Sequence, residues 1–293
     1  MYRGRFAPTP SGPLHFGSLV AALGSFLRAR NQQGEWHLRI EDIDETRCRQ
    51  EYTDSILRDL ETLGLFWDGV PLIQSQRHEI YREILDNLNR QGYTYGCNCT
   101  RNLIKLNGGR HPASCRLENL PWEKGAGIRY KSSSSVTGFT DLIRGFLSRT
   151  DFPAENDFLL KRRDCYFTYN LVCVIDDHET GITEIVRGAD LIPDTFGQLE
   201  LARTLGYPEI TYASLPLALS ESGSKYSKQN HAPGLDLLSP VRLLLKAAVF
   251  LGQEYPSEIS AAADDLTVSE FLKYAVRHFD ITKVPVLSRK VPV

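Results

Sequence analysis

The sequence predicts an α/β protein built on an open parallel sheet, with a basic insertion and a short helical C-terminal region. Three observations lead to this prediction. Strand-like and helix-like patterns alternate over the first hundred residues, a cysteine-bearing segment begins at residue 96, and helical periodicity dominates after residue 237. The 293 residues leave room for one large domain and a smaller one. With 42% hydrophobic and 24% charged residues, the composition excludes a disordered or fibrous chain.

The first ninety-five residues show the βαβα order of a parallel sheet. Residues 2–7 form a β-like run before a Pro-rich turn, and helical spacing of apolar residues begins at His15. Residues 36–40 alternate apolar and polar side chains, as in a half-buried strand. Two further amphipathic helices follow, with Gly64 and Gly92 at their C-terminal cap positions. Such an order places a ligand at the carboxyl ends of the strands.

Charge is distributed unevenly along the chain. Residues 96–163 contain twelve basic and six acidic residues, a net charge of +6, so the remainder carries -8 within the total of -2. The near-neutral total therefore does not exclude an RNA partner. The alternative is that the basic residues merely solvate an irregular insertion. Strand–helix alternation returns between residues 169 and 205, and we find no internal repeat.

The insertion contains a candidate zinc site. Three thiols and one imidazole follow the spacing Cys-x-Cys-x11-His-x3-Cys, formed by Cys97, Cys99, His111 and Cys115. These ligand types suit tetrahedral zinc, which could supply the folding energy of a small insertion that has no core of its own. Free thiols are the alternative, and we expect the other three cysteines (Cys48, Cys165 and Cys173) to be packing residues.

Two segments are suited to binding phosphate groups. At the start of the first helix, unpaired N–H groups and His15 could contact a phosphate, and Gly17 has no side chain to block an approach to the backbone. Lys225 and Lys228 lie three residues apart in a polar loop, where they could neutralise a triphosphate. Taken singly, the first segment is more typical of a capped core helix and the second of a solvated surface loop.

In combination, these segments resemble a known family. His15-Phe16-Gly17-Ser18 and Lys225-Tyr226-Ser227-Lys228-Gln229 resemble the HIGH and KMSKS signatures of class I aminoacyl-tRNA synthetases. Residues 5–12 and 39–44, with Tyr169 and residues 186–191, are similar to the glutamyl/glutaminyl branch. The resemblance covers most of residues 3–235. It implies a Rossmann-type catalytic domain in two halves (1–95 and 164–236), separated by an acceptor-binding-like zinc insertion (96–163) and followed by a helical region (237–293).

The resemblance also implies the roles of individual residues. A glutamate-binding set follows from it: Arg5, Ala7, Thr9, Glu41, Tyr169 and Arg187. An ATP-binding set follows as well: His15, Gly17, Ser18, Lys225, Ser227 and Lys228. Of these, His15, Lys225 and Lys228 are the expected catalytic residues, with Mg²⁺ carried by ATP. Arginine suits a carboxylate and Glu41 suits an α-ammonium group. The alternative for Arg5 and Glu41 is an ion pair between neighbouring strand ends.

Length selects a branch of this family. Only 65 residues follow Lys228, too few for an anticodon-binding domain plus connecting helices. The chain therefore resembles the truncated paralogues, the glutamyl-queuosine tRNA(Asp) synthetases. This implies ATP-dependent activation of L-glutamate without tRNA and transfer to the queuosine base at the wobble position of tRNA(Asp). The family's zinc motif has Tyr where this chain has His111.

Two alternatives stay open on the sequence: a shortened glutamyl-tRNA synthetase that charges the tRNA 3′ end, and a non-catalytic RNA-binding module. We expect a cytoplasmic protein, because no export signal and no run of about 18 apolar residues is present. We also expect a monomer.

Overall fold

The computed structural model describes residues 1–107, 111–112, 114–122, 125–152, 157–220 and 234–291. Twelve strands lie in these ranges: β1 (Arg3–Phe6), β2 (Glu35–Ile40), β3 (Leu72–Ile73), β4 (Thr94–Cys97), β5 (Gly127–Tyr130), β6 (Gly138–Asp141), β7 (Gly145–Ser148), β8 (Leu159–Lys161), β9 (Glu184–Gly188), β10 (Thr211–Leu215), β11 (Ala218–Leu219) and β12 (Arg289–Lys290). Ten α-helices accompany them: α1 (Phe16–Asn31), α2 (Gln50–Thr62), α3 (His78–Arg90), α4 (Arg101–Leu106), α5 (Ser114–Glu118), α6 (Tyr169–Glu179), α7 (Ile192–Thr204), α8 (Pro240–Phe250), α9 (Ser257–Ala261) and α10 (Val268–His278).

The main sheet is parallel, as the βαβα order predicts. One half has the strand order β1-β2-β3, and the other has the order β7-β6-β10-β9, in which only β7 is antiparallel to its neighbour. The halves adjoin at β1 and β9, where the Thr183 N–H donates to the Arg3 carbonyl at 2.9 Å. The carboxyl ends of β1, β9 and β10 therefore face the same edge.

Helix α1 forms the centre of the largest core. Most of its apolar side chains are buried between the sheet and helices α8 and α10, and the ring of Phe16 meets that of Phe250 edge-on with centroids 5.7 Å apart. The helical C-terminal region thus packs against α1, which itself lies on β1, β2 and β9. Gly64 and Gly92 adopt φ of +64° and +79° immediately after α2 and α3, which confirms the two predicted C-terminal caps because glycine adopts positive φ at little cost.

A second, smaller sheet stands beside the main one. Strands β4, β5 and β8 pair antiparallel in the order β4-β5-β8, and their core is shared with α3 and α6. Residues 138–148, between β5 and β8 in sequence, form the β6–β7 hairpin and pair with β10 in the main sheet. None of the helices in the described ranges has the length and apolar character needed to cross a membrane.

Candidate active site and metal centre

An open cleft lies at the edge of the main sheet where the parallel order predicts a ligand. Its cavity measures about 580 Å³, within the range of small-molecule sites. Ala7 and Thr9 line it beyond the end of β1, and Gly188 lines it at the end of β9. The start of α1 closes the opposite side. The cleft therefore gathers five of the residues expected to bind ligands: Ala7, Thr9, His15, Gly17 and Ser18.

His15 is the N-cap of α1, one position before the first helical turn in which the sequence placed it. Its Nδ1 accepts a hydrogen bond from the Ser18 N–H at 3.2 Å. In the neutral ring, Nδ1 is then the acceptor and Nε2 carries the proton. The imidazole thus offers an N–H donor beside the positive end of the helix dipole, which favours an anionic group.

Next to the cleft lies a buried group of charges, here called the charge cluster: Arg5, Arg39, Glu41, Asp177 and Arg187. The Asp177 carboxylate accepts from Arg5 Nε at 2.9 Å and from Arg39 Nη1 at 2.6 Å. Arg39 Nη2 donates to Glu41 at 3.1 Å. Arg5 is 3% exposed and Asp177 is 2% exposed. Because unpaired charges are costly to bury, these hydrogen-bonded pairs hold Arg5 and Glu41 in place.

Arg187 is buried with neutral partners. Although the residue is only 6% exposed, its guanidinium donates to Tyr169 Oη at 3.1 Å, to Thr195 Oγ1 at 2.8 Å and to Gln198 Oε1 at 2.7 Å. Among the described carboxylates, none forms an ion pair with it. The arrangement leaves one N–H on Nη1 and the Nε–H for a further acceptor. A buried cation with neutral partners is a ready site for a carboxylate.

The pKa shifts of the groups in and beside the charge cluster follow from their burial and from the nearby arginines. Burial alone would raise the pKa of Asp177, but Arg39 and Arg5 outweigh it and hold that pKa below its usual range. Burial raises the pKa of Glu41, although Arg39 and Arg5 oppose the shift. Burial also raises the pKa of the Tyr169 hydroxyl, with Arg187 opposing. Tyr169 is therefore a neutral hydrogen-bonding group at the boundary of the cluster.

The sequence missed Arg39 and Asp177. The strand containing Arg39 was expected to be half-buried; this is wrong at its carboxyl end, where Arg39 and Glu41 are both buried because α6 brings Asp177 against them. The Arg5–Glu41 ion pair, which was the alternative on the sequence, does not form, since Arg5 bonds Asp177 and Glu41 bonds Arg39. The sequence did contain a signal for a buried ion pair: Asp176 and Asp177 interrupt an apolar helical run, and buried acids are nearly always paired.

The predicted lysine loop, with Lys225, Ser227 and Lys228, lies outside the described residues. Their expected contact with ATP stays a prediction.

The cysteine cluster has the geometry of a metal centre. The ligand atoms of Cys97, Cys99, His111 and Cys115 all lie within 4.8 Å of one another. Cys97 Sγ is 3.1 Å from His111 Nε2, and Cys99 Sγ is 3.1 Å from Cys115 Sγ. Ligand atoms about 2.0–2.3 Å from a tetrahedral Zn²⁺ would have similar separations. Three sulfurs and one imidazole nitrogen therefore fit zinc in both chemistry and distance.

The pKa shifts of the residues in the cysteine cluster also favour a bound cation. Burial and the neighbouring sulfurs raise the pKa of Cys99 to about 12, and burial with the nearby Arg129 charge lowers the pKa of His111 to about 4. A neutral imidazole is ready to bind a metal ion. Thiolates this close together repel one another and need a cation between them to be stable. Of the other cysteines, Cys173 is buried as expected, but Cys165 is exposed, so its assignment as a packing residue is wrong.

Comparisons with known proteins agree with this geometry. Residues 1–235 match the model of the catalytic domain of class I tRNA synthetases (E and Q). The glutamate tRNA ligase of Elizabethkingia meningosepticum, solved in complex with its amino acid, superposes with a TM-score of 0.80 at 24% identity, over 99% of this chain and 67% of that one. The parallel sheet with its cleft is therefore the catalytic fold of a class I tRNA synthetase.

More similar relatives define the branch. The chain is 50% identical to the glutamyl-Q tRNA(Asp) synthetase of Serratia proteamaculans, over 97% of this chain and 92% of that protein. It is 48% identical to the protein of the same name from Escherichia coli K12, over 97% and 91%. The chain belongs to the glutamyl-Q tRNA(Asp) synthetase family.

Proposed function

We propose that the chain activates L-glutamate with ATP in the absence of tRNA and transfers it to the queuosine base at the wobble position of tRNA(Asp). The name shared by relatives about half identical over nearly the whole chain supports this reading. The observation that carries the amino-acid assignment is the charge cluster beside the cleft. Its residues, with Tyr169, form the proposed glutamate pocket, and Ala7 and Thr9, which follow Arg5 in the chain, line the neighbouring cleft.

The charge balance of the cluster favours glutamate over glutamine. Its three arginines exceed its two carboxylates by one positive charge. Glutamate at neutral pH carries two carboxylates and one ammonium group, a net charge of -1, whereas glutamine is neutral overall. Glutamate would neutralise the pocket, and Arg187 would find its missing carboxylate. Glutamine would leave one buried positive charge uncompensated, which is costly.

The first chemical step forms the adenylate. The α-carboxylate of glutamate attacks the α-phosphorus of ATP, an O–P bond forms, and the bond to the leaving pyrophosphate breaks. The nucleophile is already ionised, so no general base is required. The residues contribute by position and charge: His15 Nε2–H and the N-terminus of α1 stabilise phosphate oxygens, and Gly17 lets the nucleotide approach the backbone. Lys225 and Lys228 are the further cations proposed for this step, with ATP arriving as its Mg²⁺ complex.

In the second step a hydroxyl of the queuosine base attacks the activated carbonyl. An ester bond forms, AMP leaves, and the hydroxyl proton passes to solvent or to the leaving phosphate. The open cleft allows a nucleoside to approach from outside.

In our proposal the insertion has a structural role beside the catalytic domain. Zn²⁺ held by Cys97, Cys99, His111 and Cys115 would stabilise the β4–β5 region, a structural role, because the four ligands leave no open coordination position. The division into a split catalytic domain (1–95 and 164–236), an insertion (96–163) and a helical region (237–293) belongs to the same proposal.

Glutamate-dependent exchange of pyrophosphate into ATP, measured without tRNA, tests the activation step. We expect exchange with glutamate and none with glutamine. A folded protein that gives no exchange would favour the RNA-binding module, and exchange that requires tRNA would contradict the tRNA-independent reaction.

A further inference from the structure

A second cavity lies on the insertion, next to the cysteine cluster. This insertion pocket measures about 500 Å³ and is lined by Thr100, Ile104, Arg129, Arg162, Arg163 and Asp164 among others. Three arginines face a single aspartate in that set, so the pocket carries a net positive charge. It is separate from the cleft, with which it shares no lining residue.

Arg163 is the exposed cation of this pocket. Its Nε donates to the carbonyl of Gly125 at 2.8 Å and its Nη1 donates to the carbonyl of Asn98 at 3.4 Å. Among the described residues, no carboxylate forms an ion pair with it. The contacts fix the direction of the guanidinium without neutralising its charge, which suits an anionic partner from solvent.

A chain of ion pairs connects the insertion pocket with the cleft. Arg162 Nη1 donates to Asp44 Oδ2 at 2.8 Å, and the same oxygen accepts from Arg47 Nε at 2.9 Å. Asp44 is buried, but the Arg47 side chain is 62% exposed and the Arg162 side chain is 32% exposed. Arg162 also donates to Asp164, so the three guanidinium groups of Arg47, Arg162 and Arg163 exceed these two carboxylates by one positive charge. Since Arg47 lines the cleft, partly exposed guanidinium groups extend from one cavity to the other.

Given the proposed function, we infer that Arg47, Arg162 and Arg163 form a track for the phosphate backbone of the RNA whose base enters the cleft. One small anion would need one pocket, whereas a connected row of cations between two cavities fits an extended polyanion. The insertion pocket receives a nucleotide next to the one that reacts. Phosphate contacts of this kind fix register and orientation without reading sequence.

Arg163→Ala tests the track, because this substitution leaves only exposed carbonyl groups that water can satisfy. Binding of queuosine-containing tRNA(Asp) is measured over a series of KCl concentrations. We expect Kd to rise about tenfold at moderate salt and the slope of log Kd against log [KCl] to fall by about 0.7–0.9. Arg163→Glu should weaken binding further. Adenylate formation, followed by glutamate-dependent pyrophosphate exchange without tRNA, should keep its wild-type rate.

Arg203→Ala is the matched control. Arg203 is an exposed arginine in the last turn of α7. This turn precedes the start of β10, so Arg203 lies at the end of the sheet opposite the cleft. The Arg163 variants should lose RNA affinity while this control does not.

Each other outcome is informative. Wild-type RNA affinity and salt slope in both Arg163 variants, with exchange intact, would overturn the track and leave the proposed activation unaffected. Loss of exchange or of bound zinc in Arg163→Ala would assign the residue to folding of the insertion and would also overturn the track. Weakened binding of inorganic phosphate with unchanged RNA binding would identify a small-anion pocket instead. Absence of exchange in the wild-type protein would contradict the proposed function itself.

Discussion

Arg187→Gln separates ligand binding from folding more sharply than any other substitution in the pocket. Arg187 is buried, its side-chain hydrogen bonds go to neutral groups, and two N–H groups remain for a ligand. Truncating one partner of a buried charge pair costs about 2–5 kcal/mol. At 1.4 kcal/mol for each factor of ten, the expected fall in kcat/KM for glutamate is about 30- to 4,000-fold.

The same substitution should not destabilise the free protein by more than about 1 kcal/mol, because it removes a desolvated charge that has no described carboxylate partner. Glutamine at position 187 can still hydrogen-bond Thr195 or Tyr169. The assay is pyrophosphate exchange at varied glutamate and fixed, saturating ATP, with urea unfolding run alongside. The selectivity for glutamate over glutamine should fall together with kcat/KM.

An unchanged kcat/KM for glutamate in a folded Arg187→Gln protein would refute the assignment of Arg187 to the substrate. A large loss of stability with an unchanged ratio of glutamate to glutamine activity would instead make Arg187 a structural residue.

Three further predictions concern the cleft, the charge cluster and the metal centre. His15→Asn keeps a good N-cap acceptor but removes the Nε2 donor, so unfolding free energy should be unchanged while exchange falls about 10²-fold or more; an equal loss of stability and activity would contradict the donor role. Asp177→Asn should lower stability by about 3–5 kcal/mol at neutral pH and impair glutamate binding, whereas Asp176→Asn, which breaks a buried network with Gln74, Arg77 and Tyr81, should destabilise without changing the KM for glutamate. Since the folded state lowers the pKa of Asp177, the stabilisation that this carboxylate provides is present above about pH 4 and is lost as the pH falls through its pKa in the folded state. Urea titrations in which the wild type and Asp177→Asn lose stability equally on acidification would exclude this contribution. Cys99→Ser should abolish a zinc content of one per chain and lower the melting temperature, whereas the exposed Cys165→Ser should do neither, as metal analysis and thermal unfolding can show.

Local patterns predicted the elements well because helix and strand periodicity and glycine caps act over short stretches of chain. The helix expected from His15 begins at Phe16, and the positive φ of Gly64 matches its predicted cap. The parallel direction of the sheet and the position of the cleft also followed, since a parallel sheet with helical crossovers presents its carboxyl ends at one edge.

The charge cluster could not be predicted in the same way. Arg39 and Asp177 are 138 positions apart, and their pairing depends on how α6 packs against β2. Periodicity alone therefore placed Arg39 on a solvated face. Arg162 and Asp44, 118 positions apart, present the same difficulty. The sequence identified residues through the resemblance of their motifs, but the partners that orient those residues depend on tertiary packing.

The central claim is that glutamate is activated in the cleft and delivered to a base. Its most direct test uses labelled glutamate, ATP and tRNA(Asp) carrying queuosine, followed by complete nuclease digestion and identification of the labelled nucleoside. Label on the modified nucleoside, absent when tRNA(Asp) lacks queuosine, is the result this account predicts. Label on the 3′-terminal adenosine would contradict it and would make the chain a conventional charging enzyme.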